Sequence, residues 1–403
     1  MACLELQEAL ARILAAVPSP AREEVALSEA AGRVAAERWA APLDLPPFDN
    51  SAMDGYAVRA VDVAAACREA PARLRLCGRI GAGQIPPPEV LSGACARLFT
   101  GSPMPPGADA VVMQEDTRVA PEEPGLVLVL EPVKRRENVR RRGGDIERGA
   151  TVVEAGERLS EGHISLLAAM GRAQAVVGRR PVAGLLATGS ELREPAQPLA
   201  PGQIYESNRP GLAALVRGAG AVPRILPLVA DTPEATRSAL AEALGQCDAV
   251  VSTGGVSVGE LDFVKDALAD LGGTVEFWRV AIKPGRPFVF GRWREKLLFG
   301  LPGNPVSAVV TFLLLVRPAL LRWQGAIEVA LPAYPGLLAE PLANPGVHPH
   351  FLRVRVDTAG QVYSAGLQAS HALSSLAAAN GLVEVPPRTT LPRSSPVTVM
   401  RWE

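Results

Sequence analysis

Residues 252–262 read Ser-Thr-Gly-Gly-Val-Ser-Val-Gly-Glu-Leu-Asp, and residues 301–305 read Leu-Pro-Gly-Asn-Pro. Each segment follows a short apolar run of strand character and leads into helical periodicity, at 261–271 and 306–321. Glycines between a strand and a helix let backbone approach a ligand closely, and the first helical turn offers unpaired N–H groups and a partial positive charge. That combination binds anions, phosphate above all. One such loop is often only a tight turn. Two in one α/β unit point to a phosphate cradle, with Ser252, Gly254, Gly255, Ser257 and Gly259 in the first and Pro302, Gly303 and Asn304 in the second.

Acids stand beside these loops. Glu191 follows Thr-Gly-Ser at 188–190, Asp231 follows the apolar run at 225–229, and Asp262 closes the first loop. In an open α/β sheet these positions fall at the carboxyl ends of strands, where ligands bind. Carboxylates repel phosphates unless a hard cation lies between them, so Glu191, Asp231 and Asp262 are candidate ligands for the Mg2+ of a nucleotide. As capping or solvated acids they would need no ligand. Just after Arg279, the run Ala-Ile-Lys-Pro-Gly-Arg-Pro at 281–287 sets Lys283 and Arg286 on a rigid turn suited to phosphate or another oxyanion. A second basic run, 134–142, holds six cations in nine residues and leads into Gly-Gly-Asp at 143–145. It has no interleaved aromatics and the net charge is −1, so a compact anion fits it better than nucleic acid. The polar loop at 47–57 reads as Asx-type turns in which Asp49, Asn50 and Asp54 bond local backbone.

Several elements must hold these residues. The 403 residues are enough for two to four domains, and 48% hydrophobic with 21% charged residues excludes a disordered chain. A helix is expected near 4–17, then short β-like pieces between about 48 and 145, separated by Gly and Pro. From 181 strands and helices alternate, implying a parallel sheet covered on both faces, with Thr232-Pro233-Glu234 capping one helix. Beyond 323 the pattern returns to β. The expected fold is therefore α/β plus β and multidomain. The N-terminal eight residues carry acids where a signal peptide needs cations, implying a cytoplasmic protein. The apolar helical stretch at 306–316 ends at Arg317 and Pro318, too short to span a membrane. Five scattered cysteines read as reduced packing residues. His348 and His350, in a Pro-rich loop, give little basis for a zinc site.

Taken together, segments 48–57, 100–101, 106–107, 110–115, 140–145, 188–191, 202–209, 252–262, 281–287 and 301–307 resemble the signature segments of the molybdopterin molybdenumtransferases, bacterial counterparts of the C-terminal part of gephyrin. The resemblance runs in order from about residue 5 to the C-terminus. It implies an N-terminal helix and linker region (1–47), a β domain (48–143), a linker returning to the N-terminal part (144–177), a molybdopterin-binding α/β domain (178–326) and a C-terminal β domain (327–403). It further implies a homodimer with shared clefts, acting on molybdopterin adenylate and molybdate with Mg2+, inserting the metal and releasing AMP, and transient contact with other molybdenum-cofactor proteins. Nucleic acid and membrane are not among the implied partners. By the same resemblance Asp54, Thr100, Arg140 and Asp145 form the β-domain face of the site, with Asp54 and Asp145 catalytic. Glu191, Asp231 and Asp262 supply the acids of the α/β face, as catalytic residues and Mg2+ ligands. Arg279, Lys283 and Arg286 form the basic face. Ser370 matches a serine of the C-terminal domain, although Ala369 stands where relatives carry glycine. Molybdate and tungstate are too alike in size and charge for the sequence to separate.

Overall fold

Hydrophobic strands between residues 182 and 301 form the centre of a computed structural model that describes residues 3–83, 89–120, 122–255 and 263–402. The chain divides into two units, one of Met1–Glu37, Ala155–Ile164 and Ala173–Glu403, the other of Arg38–Glu154 and Ser165–Arg172. In the first, six strands pair in the order Val222–Val229, Val182–Thr188, Ala249–Thr253, Lys296–Leu301, Pro287–Trp293 and Thr274–Arg279. The first four are mutually parallel, as the alternating pattern implied. Pro287–Trp293 runs against both its neighbours, so the sheet is mixed rather than wholly parallel. The reason is local. Trp293 pairs with Lys296 across a two-residue turn, with Arg294 left-handed at φ 55°, and so short a connection joins only antiparallel strands.

Helices cover both faces. Leu6–Ala16, Asn208–Gly218 and the long helix from Pro305 pack on one side around Phe277, Phe288, Phe290 and Phe299. Pro233–Gln246 and Val264–Asp270 close the other through Leu240, Leu244, Val264 and Leu268. Thr232 caps its helix as expected, its Oγ1 accepting the Ala235 N–H at 3.2 Å. The long helix does not stop at Arg317 and Pro318 but continues unbroken from Pro305 to Trp323. Proline removes a donor and crowds the turn before it, and the wider π-helical turn at Phe312–Val316 absorbs both effects. Nineteen residues of this composition could cross a bilayer by length, but 83% of the apolar window is buried, as in a core helix.

The C-terminal part of this unit carries a closed five-stranded barrel in the order Ala333–Leu338, Gln361–Ser364, His350–Val356, Gly381–Val385 and Pro396–Met400. Backbone bonds stitch it to the α/β layer: Lys283 N–H to the Pro349 carbonyl (2.9 Å), Phe351 N–H to that of Lys283 (2.8 Å) and Val306 N–H to that of Ser370 (3.1 Å). The second unit is a β domain with its own six-stranded sheet, ordered Ala110–Met113, Gly55–Val58, Ala94–Leu98, Ala72–Ile80, Leu126–Val129 and Thr117–Val119. A small ladder beside it pairs Asn50–Ser51 with Val139–Arg140.

Candidate active site

The carboxyl ends of the parallel strands open into a cavity of about 690 Å³. Thr188 and Thr253, at the ends of adjacent strands, line it, and so do Glu191, Gly254, Gly255 and the loop Pro302, Gly303 and Asn304. Gly254 has φ 82°, and a Cβ there would lie 2.5 Å from the Thr188 carbonyl oxygen. Only glycine fits this close approach of two backbone segments. Thr188 and Thr253 are buried, at 6% and 2% exposure, and neither hydroxyl has a hydrogen-bond partner among the described residues. Buried hydroxyls without partners are uncommon, and two at the floor of one cavity are donors waiting for an acceptor. Ser252 also lacks a partner among the described residues, but alternation along the strand turns it away from the cavity, whose lining it does not join.

A salt-bridged wall stands opposite. Glu206, only 3% exposed, caps the helix Asn208–Gly218 by accepting the amides of Asn208 (2.6 Å) and Arg209 (2.9 Å). Its other oxygen binds Arg209, which also reaches Glu194 and the Leu226 carbonyl. Because a carboxylate already occupies the start of this helix, its N–H groups are not open to phosphate. Asn208 then donates its side-chain amide to the Gly303 carbonyl at 2.8 Å, fixing the second loop. Sequence reasoning named neither Thr188 nor Thr253 as a contact, nor Asn208. Tyr205, His371 and Leu373 also line the cavity and were likewise missed. A polar or aromatic residue next to a recognised loop was the one available signal.

Glu191 is exposed and faces the cavity. Asp231 is half-buried outside the lining, accepting the Ser190 amide at 3.1 Å while the Ser190 hydroxyl receives its own amide at 3.4 Å. It clasps the loop that carries Glu191. Asp262, Ser257 and Gly259 lie outside the described residues. Among the described residues no group of three His, Cys, Asp or Glu is close enough to hold a metal alone. The donors facing the cavity from Thr188, Thr253 and Glu191 are all oxygen, which suits a hard cation such as Mg2+.

The basic residues separate. Lys283 is exposed and lines a second pocket of about 290 Å³ with His350, Ser364 and Gln368. The Arg279 guanidinium lies 3.9 Å from the Trp278 ring centroid, a cation–π contact. Arg286 is exposed and joins neither lining, although Pro287 reaches the larger cavity. Ser370 belongs to the segment that bridges the two, since Gln368 lines the smaller pocket and His371 the larger.

In the β domain Asp54, Thr100, Arg140 and Asp145 are all exposed. Asp54 does not make the expected local Asx turn. Its Oδ1 accepts both the backbone amide and the hydroxyl of Thr100, each at 2.8 Å, and these bonds, the amide first, hold the Asp54 carboxyl below its ordinary pKa. Asp49 likewise reaches a distant amide, that of Arg142, at 2.7 Å, while Asn50 alone stays local, donating to the Phe48 carbonyl at 3.2 Å. The loop at 47–57 is thus a clamp on segments 100 and 142. Arg140 pairs with Asn50 in the small ladder, and the Asp145 amide donates to the Leu45 carbonyl at 3.0 Å.

A glycine-lined cavity at the carboxyl ends of an α/β sheet, carried with two β domains, defines a multidomain α/β plus β protein with an anion-binding site. Family models agree: residues 4–171 match the MoeA N-terminal region (domain I and II), 184–322 the "Probable molybdopterin binding domain" and 335–402 the MoeA C-terminal region (domain IV). Molybdopterin molybdenumtransferase of Haemophilus influenzae is 38% identical over 94% of this chain and 93% of its own length. That of Bacillus subtilis is 36% identical over 95% and 90%. The crystal structure of the molybdopterin biosynthesis MoeA protein from Pyrococcus horikoshii superposes with a TM-score of 0.85 at 30% identity, covering 99% of this chain and all of that one. The chain belongs to the molybdopterin molybdenumtransferase family, transferases of molybdenum-cofactor biosynthesis.

Proposed function

We propose that this protein inserts molybdenum from molybdate into adenylated molybdopterin, cleaving the adenylate in a Mg2+-dependent step and releasing AMP. The observation that carries the reading is the pair of hydroxyls, Thr188 and Thr253, that have no partner among the described residues and lie beside Gly254 in the larger cavity. Both donate to phosphate oxygens, Gly254 and Gly255 admit the phosphates close to backbone, and Asn208 holds the Gly303 loop in register. Glu191, with Asp231 and Asp262, would hold Mg2+, which would supply positive charge for cleavage of the adenylate. Lys283 receives molybdate in the smaller pocket, and the segment through Ser370 links the two compartments. Arg279 and Arg286 add positive field at their approach.

On the β domain, Asp54 and Asp145 act on the reacting groups, while Thr100 keeps Asp54 ionised and Arg140 attracts the anionic substrate. In this reading the protein is a cytoplasmic homodimer that shares its clefts between subunits and hands its product to cofactor-requiring enzymes. Its domains divide at residues 47, 143, 177 and 326. The test is to incubate purified protein with molybdopterin adenylate and Mg2+, with and without molybdate, and to follow AMP. Molybdate-stimulated AMP release is expected, and no AMP release under any of these conditions would overturn the reading.

A further inference from the structure

We propose that His350 is a specificity-determining contact for the small tetrahedral oxyanion that Lys283 receives, adding an N–H donor inside the smaller pocket. The inference rests on the reading of Lys283 as an oxyanion ligand and goes beyond it by naming a second donor. His350 opens the barrel strand His350–Val356 and is 4% exposed, yet among the described residues neither of its ring nitrogens has a hydrogen-bond partner. Its neighbours find partners readily. Asn344 spends its amide on the carbonyls of His348, Val385 and Pro386. Gln368 exchanges bonds with the Arg353 backbone, donating to its carbonyl at 2.9 Å and accepting its amide at 3.0 Å. A histidine with both nitrogens unmet in such surroundings is an exception that a ligand resolves.

The placement points to which ligand. Lys283 and His350 form an isolated parallel bridge, and the bonds from Lys283 N–H to Pro349 and from Phe351 N–H to Lys283 hold the two residues side by side. Both line the pocket of about 290 Å³, whose other polar residues include Ser364, Gln368 and Glu340. Glu340 is engaged, accepting the Ser364 amide at 2.7 Å. At about 30 Å³ per water, the pocket holds on the order of ten waters, room for a compact tetrahedral ion with its hydration shell. Burial, with Lys283 and Arg353 adding to it, holds His350 down at a pKa of about 4, so at neutral pH the ring is uncharged. An uncharged imidazole offers one N–H to an oxyanion oxygen and one lone pair to a water or a protonated oxygen.

The experiment uses the full chain and molybdate alone, measured by equilibrium dialysis with molybdenum quantified, alongside thermal melts with and without molybdate. His350→Leu removes both unmet nitrogens while keeping an apolar side chain in place. It should melt at the wild-type temperature or higher without ligand, yet bind molybdate about 10-fold more weakly or worse and lose most of the molybdate-induced shift. His350→Gln keeps a donor and an acceptor and should bind more tightly than the leucine variant. Wild-type affinity in His350→Leu would overturn the inference, and so would equal weakness of the two variants. Lys283→Ala separates the layers. If it binds weakly while His350→Leu binds normally, only the role of His350 falls. If neither variant weakens binding, the oxyanion reading of Lys283 falls with it.

Discussion

At the scale of single residues, the cradle depends on atoms that lack something. Thr253→Val exchanges an unmet hydroxyl for a methyl of nearly the same shape, so folding stability should hold or rise. Affinity for molybdopterin adenylate should still fall about 10-fold, the effect of one charge-assisted bond to phosphate. Isothermal titration of the variant checks this, and unchanged affinity would remove Thr253 from the site. Glu191→Gln keeps volume and removes charge. It should leave the melt intact and raise the Mg2+ concentration needed for AMP release by about 10-fold or more, as is typical of disturbed metal sites. The glycines of this site were legible in the sequence, because a Gly-rich strand-to-helix junction has one main physical use. The unmet hydroxyls were not, because whether a strand-end threonine finds a partner depends on a neighbouring strand distant in sequence. Asp54 was misread for a related reason: its partner Thr100 is 46 positions away, beyond any local turn rule.

At the scale of elements, the entry to the central sheet carries a titratable clasp. Asp248 lies just before Ala249–Thr253, pairs with Arg179 through both oxygens at 2.9 and 3.0 Å and accepts the Val182 amide at 2.8 Å. Burial alone would raise its pKa, but the Arg179 pair and the Val182 amide outweigh it and hold the carboxyl below the ordinary value. A carboxyl depressed in the folded state contributes its full stability above the unfolded value of about 3.9 and loses it as pH falls toward the folded value. Asp248→Asn should therefore cost about 1 to 3 kcal/mol at pH 7, with the gap to wild type closing only below about pH 4. Urea midpoints at pH 7, 5 and 3.5 test this, and a gap that stays constant would contradict it. Element types were mostly readable from periodicity, yet two boundaries were not. The helix from Asn208 was expected only from Gly211, although Pro210 in its first turn marks an earlier start, and the Glu206 cap precedes that start by two residues. The helix from Pro305 passes its proline because a π turn accommodates what a regular α-helix does not.

At the scale of the whole molecule, acids and anion-facing residues stand on both units of the chain, and the proposed homodimer turns this into a test of cleft sharing. If Asp54 of one subunit works with Glu191 of the other, a heterodimer of Asp54→Ala and Glu191→Ala chains has one cleft with both lesions and one with neither. Mixing two inactive variants should restore about half of wild-type activity in the verified heterodimer fraction, whereas clefts confined to single chains would stay inactive. The direction of one strand escaped the sequence for a reason at this scale, since alternating strands and helices read as wholly parallel until a two-residue turn at Arg294 reverses the chain. The central claim is that metal transfer and adenylate cleavage are one coupled event at this site. Its most direct test is a single turnover with molybdopterin adenylate, Mg2+ and molybdate, in which AMP and protein-bound molybdenum cofactor are both quantified. The account predicts that the two appear together and in equal amounts, and that AMP release falls sharply when molybdate is withheld. AMP released at the same rate with no molybdenum incorporated would show a simple hydrolase and contradict it.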